Sequence, residues 1–263
     1  MSFFKYTIFI FTVIFLGELI LSPVHGKPAA DVSTPHGDNV LYYTAPKQHN
    51  AQKIAALPTD GVPHNIILIV GNGMGQGAIQ YTALHTLQKN RGLLMESLPV
   101  SALVSTLTAD GEATDSAAAG TALACAYKTG RGMVGMTPGN QRIGNIAEAI
   151  QASGRSVGII TTNSLTGPTT AAFSAHVTSR SMAEKIAVHQ LHSNYDLLIG
   201  ENIRPFTPIE HGGSRLDSRN ICREFEDKGY FQIRTVQEMA IAPDGKLFGI
   251  LGNWDKSETL LGE

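Results

Sequence analysis

"HNIILIVGNGMGQG", residues 64–77, runs from an apolar segment into a turn with four glycines at alternate positions. Residues 66–70 are continuously apolar and mostly β-branched, which is typical of a strand covered on both faces. Residues 76–90 follow directly and have helical spacing. A strand, a glycine turn and a helix in this order indicate an α/β fold, in which ligands gather at the carboxyl ends of the strands.

The same alternation continues along the chain. Strands are predicted at 100–107, 155–162, 195–200 and 246–251, and helices at 76–90, 116–127, 142–154, 181–192 and 216–228. Strands that alternate with helices of about 10–15 residues imply a mostly parallel sheet with helices on both faces. The sequence therefore predicts a three-layer α/β architecture.

Composition and the N-terminus restrict the surroundings of the protein. The chain has 263 residues, of which 43% are hydrophobic, and a formal net charge of −2, which favours neither nucleic-acid binding nor a polybasic membrane surface. The apolar run 6–21 after Lys5 is short for a membrane span and contains Glu18, so residues 1–26 are predicted to be a cleaved signal peptide rather than an anchor. We expect an exported protein, periplasmic or secreted, with no stable membrane span after cleavage.

The mature chain divides into two parts. Residues 27–63 contain five prolines and no clear period, which favours an N-terminal arm on the surface. Residues 64–263 form the predicted α/β domain. Only Cys125 and Cys222 are available for a disulfide, and we expect buried free thiols rather than a bridge.

The glycine turn alone leaves two interpretations open. Gly73, Gly75 and Ala78 fit the G-x-G-x-x-G/A pattern of a dinucleotide fold, with Glu96 as the distal acid. That match is weak because any glycine-dense turn offers several registers, and "SLP" after Glu96 is a poor end for the required strand. A structural turn and a ligand site remain equally supported, and Asn72 places a neutral amide at the centre of the turn.

A second segment, "ADGEATDSAAAGTALACAYKTG" at 109–130, suggests a nucleophile. Ser116 lies where an alanine-rich helix should begin, and Asp115 precedes it as a candidate cap. A serine in this position can present its hydroxyl to an anion held by the free N–H groups of the first helical turn. The alternative is that Ser116 only caps the helix.

A third segment, "TTNSLTGPTTAAFSAHVTSR" at 161–180, supplies a cation. The planar guanidinium of Arg180 could bind two oxygens of a phosphate, although an exposed charge at a helix start is the alternative. His176 fits a packed or capping residue better than a ligand. A rival serine, Ser156 in "GRSVG", fits the string of a hydrolase nucleophile elbow, but it follows a helix and opens a strand, the reverse of the required order.

Together the segments "GNGMG" (71–75), "TDSAA" (114–118) and "TTAAFSAHVTSR" (169–180) resemble the alkaline phosphatase family in residues, order and spacing. The likeness is good over 64–200. It implies hydrolysis of small phosphate monoesters through a phosphoserine, with Ser116 as nucleophile and zinc ligand. It further implies that Arg180 binds the phosphoryl group, that Asp115 orients Arg180, and that Thr169 is a magnesium ligand.

The resemblance also implies cofactors that this sequence matches only in part. Zn²⁺ and Mg²⁺ are expected, but Asn72 stands where the family has an aspartate that bridges a zinc and the magnesium, so one negative charge is lost. The family's remaining zinc ligands, aspartates and histidines after the position of Arg180, have no counterparts here. We therefore expect that the C-terminal part of the fold is missing. The alternative is a non-catalytic remnant with weak phosphate or metal binding. Family members are commonly dimers, which leaves a homodimer open.

Overall fold

The computed structural model describes residues 10–13, 65–86, 93–98 and 100–251. The chain forms two compact units, one of Met1–Val32 with Ala45–Thr106 and one of Ser33–Thr44 with Leu107–Glu263. The predicted arm at 27–63 and most of the predicted signal peptide lie outside the described residues. Among the helices of the described ranges, none is both long and apolar enough to cross a membrane.

The first unit contains the strand that precedes the glycine turn. β1 (Ile10–Val13) pairs in parallel with β2 (Ile67–Val70), and α1 (Gln76–Thr86) begins after the turn. The strand at β2 and the helix after it confirm the prediction. The expected cover on both faces is not found in the described residues, where Ile69 is 50% exposed. A short 3₁₀ helix, Leu94–Ser97, completes the unit.

The second unit contains a four-stranded parallel sheet. Its strands are β3 (Gly158–Ser164), β4 (Leu197–Glu201), β5 (Phe231–Ile233) and β6 (Leu247–Ile250), in the order β3-β4-β6-β5. Every neighbouring pair is parallel, as the alternation predicts. The pattern missed β5, which has only three residues. The strand predicted at 100–107 is wrong, because none of these residues is in a strand and Leu103 is 80% exposed.

The described residues of the second unit contain two 3₁₀ helices, Arg204–Phe206 and Ile209–His211, and six α-helices: α2 (Ser116–Cys125), α3 (Ile146–Ala152), α4 (Pro168–Ala172), α5 (Ala183–Ser193), α6 (Ile221–Asp227) and α7 (Val236–Ala240). The sequence pattern predicted α2 and α5 well, began α3 too early at 142, and missed the five-residue helices α4 and α7. It began α6 too early. The buried Arg215 binds the carboxylate of Asp217 in that stretch, and the helix begins only where Asn220 caps it by accepting from the backbone N–H of Arg223.

Two of the three buried clusters in the described residues position the helices. The larger cluster packs α5 and α6 on the sheet around Tyr195, Phe206, Phe225 and Phe248, with the rings of Phe225 and Phe248 stacked 4.0 Å apart. The smaller cluster is rich in alanine and joins α2 to α4. Both cysteines lie in these clusters as free thiols, and burial raises the pKa of Cys125 to about 12 and that of Cys222 to about 11.

A glycine lets α2 and α4 approach each other closely. A methyl group placed on Gly120 of α2 would lie 3.1 Å from Cβ of Ala172 and 3.3 Å from Cα of Thr169, tighter than ordinary packing. Because helices approach this closely only with a small residue at the contact, Gly120 sets how α4 sits beside the helix that Ser116 begins.

Candidate active site

Ser116 is the first residue of α2, and Asp115 caps that helix. Asp115 has extended backbone, and its Oδ1 accepts a hydrogen bond from the N–H of Ala118 at 3.0 Å. The cap satisfies one of the N–H groups that a helix leaves unpaired in its first turn. Ser116 is half-buried, and among the described residues no hydrogen bond to its hydroxyl is found. The serine therefore lies in the electropositive first turn of a ten-residue helix.

Asp115 also joins the helix to two other segments. Its Oδ1 accepts from the N–H of Gly132 at 3.1 Å, and its Oδ2 accepts from Nη1 of Arg180 at 3.1 Å. The backbone N–H of Arg180 donates to the carbonyl of Gly132 at 2.7 Å. Arg180 is therefore held through both its backbone and its side chain next to the residue that precedes Ser116.

The local hydrogen bonds stabilise the charged form of the Asp115 carboxylate. Burial alone would raise the pKa of Asp115, but the hydrogen bonds from Ala118, Gly132 and Arg180 outweigh it and lower that pKa below its ordinary value. Asp115 is therefore ionised at neutral pH. The side chain of Arg180 is 42% exposed, so its guanidinium keeps a solvent-facing surface besides the Nη1 that contacts Asp115.

The structure brings some of the predicted site residues together. Arg180 contacts Asp115, which directly precedes Ser116 at the N-terminus of α2, and half-buried Thr169 lies on α4, which packs on the same helix at Gly120. Asn72 is exposed in the turn after β2 and belongs to the first unit. The chemical roles assigned to these residues remain predictions.

One charged residue next to the site segments was missed by the sequence reading. Glu148 in α3 forms a capping box with Asn145 and also binds the ring of buried His176 at 2.6 Å. The spacing of Asn145 and Glu148 is the sequence signature of a capping box, so the helix start could have been read from it. The contact with His176 could not, because it joins residues 28 positions apart.

The described residues do not form a metal centre by themselves. Within these ranges, no group of three or more His, Cys, Asp or Glu side chains that could hold a metal ion is found. The predicted ligands Asn72, Ser116 and Thr169 offer only neutral oxygens, whereas zinc takes thiolate, imidazole or carboxylate and magnesium usually takes one or two carboxylates. This donor set does not fit a zinc or magnesium site.

Comparisons with known proteins agree on one family. A family model described as alkaline phosphatase matches residues 63–259. The alkaline phosphatase of Schizosaccharomyces pombe is 34% identical over 186 residues, which cover 66% of this chain and 35% of that protein. The cold-active alkaline phosphatase of Shewanella sp. aligns with a TM-score of 0.61 and 26% identity over 70% of this chain and 44% of that chain.

A second similar structure contains a metal. It is a mutant of the TAB5 alkaline phosphatase, from an Antarctic bacterium, with magnesium bound. It is 25% identical to this chain, with a TM-score of 0.52 over 57% of this chain and 42% of that one. The chain spans between 32% and 43% of the length of the first four curated relatives it matches.

Proposed function

Because this chain belongs to the alkaline phosphatase family, we propose that it binds small phosphate monoesters and transfers their phosphoryl group to Ser116. The observation that supports this most directly is the contact of Arg180 with Asp115, which holds a guanidinium beside the start of α2. An arginine, free helical N–H groups and a serine hydroxyl in one place are the parts that phosphoryl transfer to an alcohol requires.

Binding would depend on Arg180 and on the helix start. The dianion would lie against the unpaired N–H groups of the first turn of α2, where the helix dipole favours negative charge. The guanidinium donors that do not contact Asp115 would bind two phosphate oxygens. Asp115 itself repels the dianion, so its contribution is to fix Arg180 rather than to attract the substrate.

The proposed transfer is an in-line displacement at phosphorus. The Oγ atom of Ser116 forms a bond to phosphorus while the bond to the ester oxygen breaks, and the alcohol departs with a proton from solvent as the serine proton is released to solvent. Water then displaces the serine from phosphorus and gives inorganic phosphate. Charge on the equatorial oxygens in each transition state is stabilised by Arg180 and the helical N–H groups.

Among the described residues, no group activates the Ser116 hydroxyl. A serine hydroxyl is a poor nucleophile unless a base or a metal activates it. Among the described residues no carboxylate or imidazole bonds the Ser116 hydroxyl. Metal assistance, which family membership and the magnesium-bound TAB5 mutant suggest, would supply this activation, with Zn²⁺ and Mg²⁺ as the expected ions. Because the neutral oxygens of the predicted ligands do not fit either ion, we expect transfer by this chain to be slow.

The test separates binding from chemistry. Hydrolysis of p-nitrophenyl phosphate and the Kd of inorganic phosphate are measured for the full chain and for Ser116→Ala and Arg180→Ala. The matched controls are Ser156→Ala, which removes the rival serine, and Arg223→Ala on α6. We expect phosphate binding to weaken only in Arg180→Ala and the slow turnover to be abolished by Ser116→Ala. Equal phosphate binding in Arg180→Ala and the parent chain would refute the proposal.

A second candidate function is a phosphate-binding protein without turnover. The neutral oxygens of the predicted metal ligands and the Ser116 hydroxyl without an activating partner are the observations that support this alternative. It is identified by Arg180-dependent phosphate binding together with hydrolysis that does not change in Ser116→Ala.

Two further predictions concern the whole protein. Export would be supported by a secreted product that begins at Lys27 and contradicted by a retained N-terminus. A homodimer would be supported by a sedimenting mass of twice the 28.1 kDa chain, less the cleaved peptides.

A further inference from the structure

A hydrogen-bonded pair, His176 and Glu148, lies largely buried close to the segment that carries Arg180. The ring of His176 is enclosed, with its side chain only 4% exposed, and its Nε2 lies 2.6 Å from Oε1 of Glu148. Its Nδ1 lies 2.8 Å from the carbonyl oxygen of Gly135. Neither residue hydrogen-bonds Asp115 or Arg180, and neither has a role in the proposed phosphoryl transfer.

The hydrogen bonds determine where the protons of this pair lie. A carbonyl oxygen can only accept, so Nδ1 of His176 must donate to Gly135. The second contact then needs one more proton between Nε2 and the carboxylate. Burial alone would raise the pKa of Glu148. The hydrogen bonds with His176 and with the N–H of Asn145, together with the charge of Arg142, outweigh burial and lower that pKa. Nδ1 of His176 therefore donates to Gly135, and one proton joins Nε2 to Oε1 of Glu148.

The backbone connects this pair to Arg180. Val134 and Val177 exchange two backbone hydrogen bonds of 3.0 and 2.9 Å, and the N–H of Arg180 donates to Gly132 on the same two segments. His176 precedes Val177 on one segment and bonds the carbonyl of Gly135 on the other. The ring of His176 therefore links the segment that contains Gly132 to the segment that contains Arg180.

Two other features support this linking role of the His176 ring. Gly135 has a φ of +58°, and a methyl group placed on it would lie 2.5 Å from the oxygen of Ala175 and 2.6 Å from Nδ1 of His176. Only glycine allows this approach. On the other side, the backbone N–H of His176 donates to Nδ1 of His189, whose pKa is lowered to about 4, mainly by burial, so that this nitrogen stays available as an acceptor.

We propose that His176, anchored by Glu148, is a positioning residue that holds the Gly132–Arg180 contact and so aims the Arg180 guanidinium at the phosphate site. The inference rests on the proposed role of Arg180. It assigns no contact with substrate to His176, and its effect on phosphate binding must pass through Arg180.

The first experiment measures amide hydrogen exchange on the full chain. His176→Ala removes both ring contacts, whereas His176→Asn keeps a donor at the position of Nδ1 for Gly135. We expect the amides of Val134, Val177 and Arg180 to exchange about 3- to 10-fold faster in His176→Ala, the factor that the net strength of one hydrogen bond supports. Amides of β4 and β6 should be unchanged, and His176→Asn should recover most of the protection.

The second experiment is a double-mutant cycle on the Kd of inorganic phosphate. His176→Ala should weaken binding about 3- to 10-fold when Arg180 is present and should have no effect in the Arg180→Ala background. The matched control is His192→Ala, because His192 is exposed and, within the described part of the chain, its side chain bonds only the carbonyl of Val188 in its own helix. Glu148→Gln replaces His176→Ala in both experiments if the latter does not fold.

Several outcomes would overturn the inference. Equal loss of phosphate affinity in both backgrounds, or faster exchange throughout β4 and β6, would mean that His176 serves general stability only. Unchanged exchange at Arg180 in His176→Ala would show that the ring does not hold the segment. If Arg180→Ala leaves phosphate binding intact, the proposed function fails, while the exchange data still decide whether His176 positions Arg180.

Discussion

Replacing Asp115 separates its hydrogen bonds from its charge. In Asp115→Asn the amide oxygen can still accept from Ala118 and Gly132, while the charge facing Arg180 is lost. In Asp115→Ala all three interactions are lost, and the N–H of Gly132 is left without its acceptor. The two substitutions therefore differ by two hydrogen bonds and share the loss of one charge.

The structure gives a magnitude for each part. Loss of the helix cap costs about 1 kcal/mol, and an unsatisfied, partly buried N–H costs about 1 kcal/mol more. The ion pair with Arg180 contributes only about 0.5 kcal/mol, because the arginine side chain is 42% exposed and solvent screens the pair. The favourable charge at the helix N-terminus adds about 0.5 kcal/mol. We expect Asp115→Asn to lose about 1 kcal/mol and Asp115→Ala about 3 kcal/mol.

Urea unfolding of the full chain at neutral pH measures both values. A pH series checks the charge contribution, because the pKa of Asp115 in the folded protein lies below its ordinary value of 3.8. A lowered pKa stabilises the fold above the unfolded pKa, and this stabilisation is lost as the pH falls through the folded pKa. The gap between the parent chain and Asp115→Asn should therefore be constant at neutral pH and close below pH 3.8. Equal destabilisation by Asn and Ala, or a gap that grows with acid, would refute this account.

Three other perturbations have defined outcomes. Gly120→Val should destabilise the chain by about 1–3 kcal/mol in urea because its side chain would collide with Ala172 and Thr169, and an unchanged midpoint would contradict the close packing of α2 and α4. Both thiols should resist iodoacetamide at pH 8 in the folded chain and react after unfolding, since burial raises the pKa of Cys125 to about 12 and of Cys222 to about 11; rapid native labelling of either would contradict this. A chelator should leave the slow hydrolysis of this chain unchanged, because the predicted ligands Ser116 and Thr169 offer only hydroxyl oxygens, and a large drop in rate would contradict this expectation.

Local signals in the sequence predicted the parts of the fold that local physics decides. The start of α2 followed from an aspartate and a serine ahead of an alanine run, and the parallel sheet followed from the alternation of elements. Tertiary contacts decided the rest. Arg215 is buried and binds Asp217, so the helix expected from 216 begins at Ile221 instead. α4 is too short to be stable alone and exists because it packs on α2.

The sequence likewise predicted some residues of the candidate site and missed others. Family resemblance pointed to Asp115 and Arg180, and the structure shows that they touch across 65 positions of sequence. The part of Gly132, which contacts both residues, could not be read from any local pattern. The same holds for Glu148 and His176, whose pairing depends on how α3 lies beside the segment that carries Arg180.

The most direct test is a crystal structure of the chain with inorganic phosphate or vanadate. The account predicts the anion at the N-terminus of α2, with two oxygens hydrogen-bonded to the guanidinium of Arg180 and its central atom about 3–3.5 Å from Oγ of Ser116. An anion bound elsewhere, with the guanidinium turned away from Ser116, would contradict it.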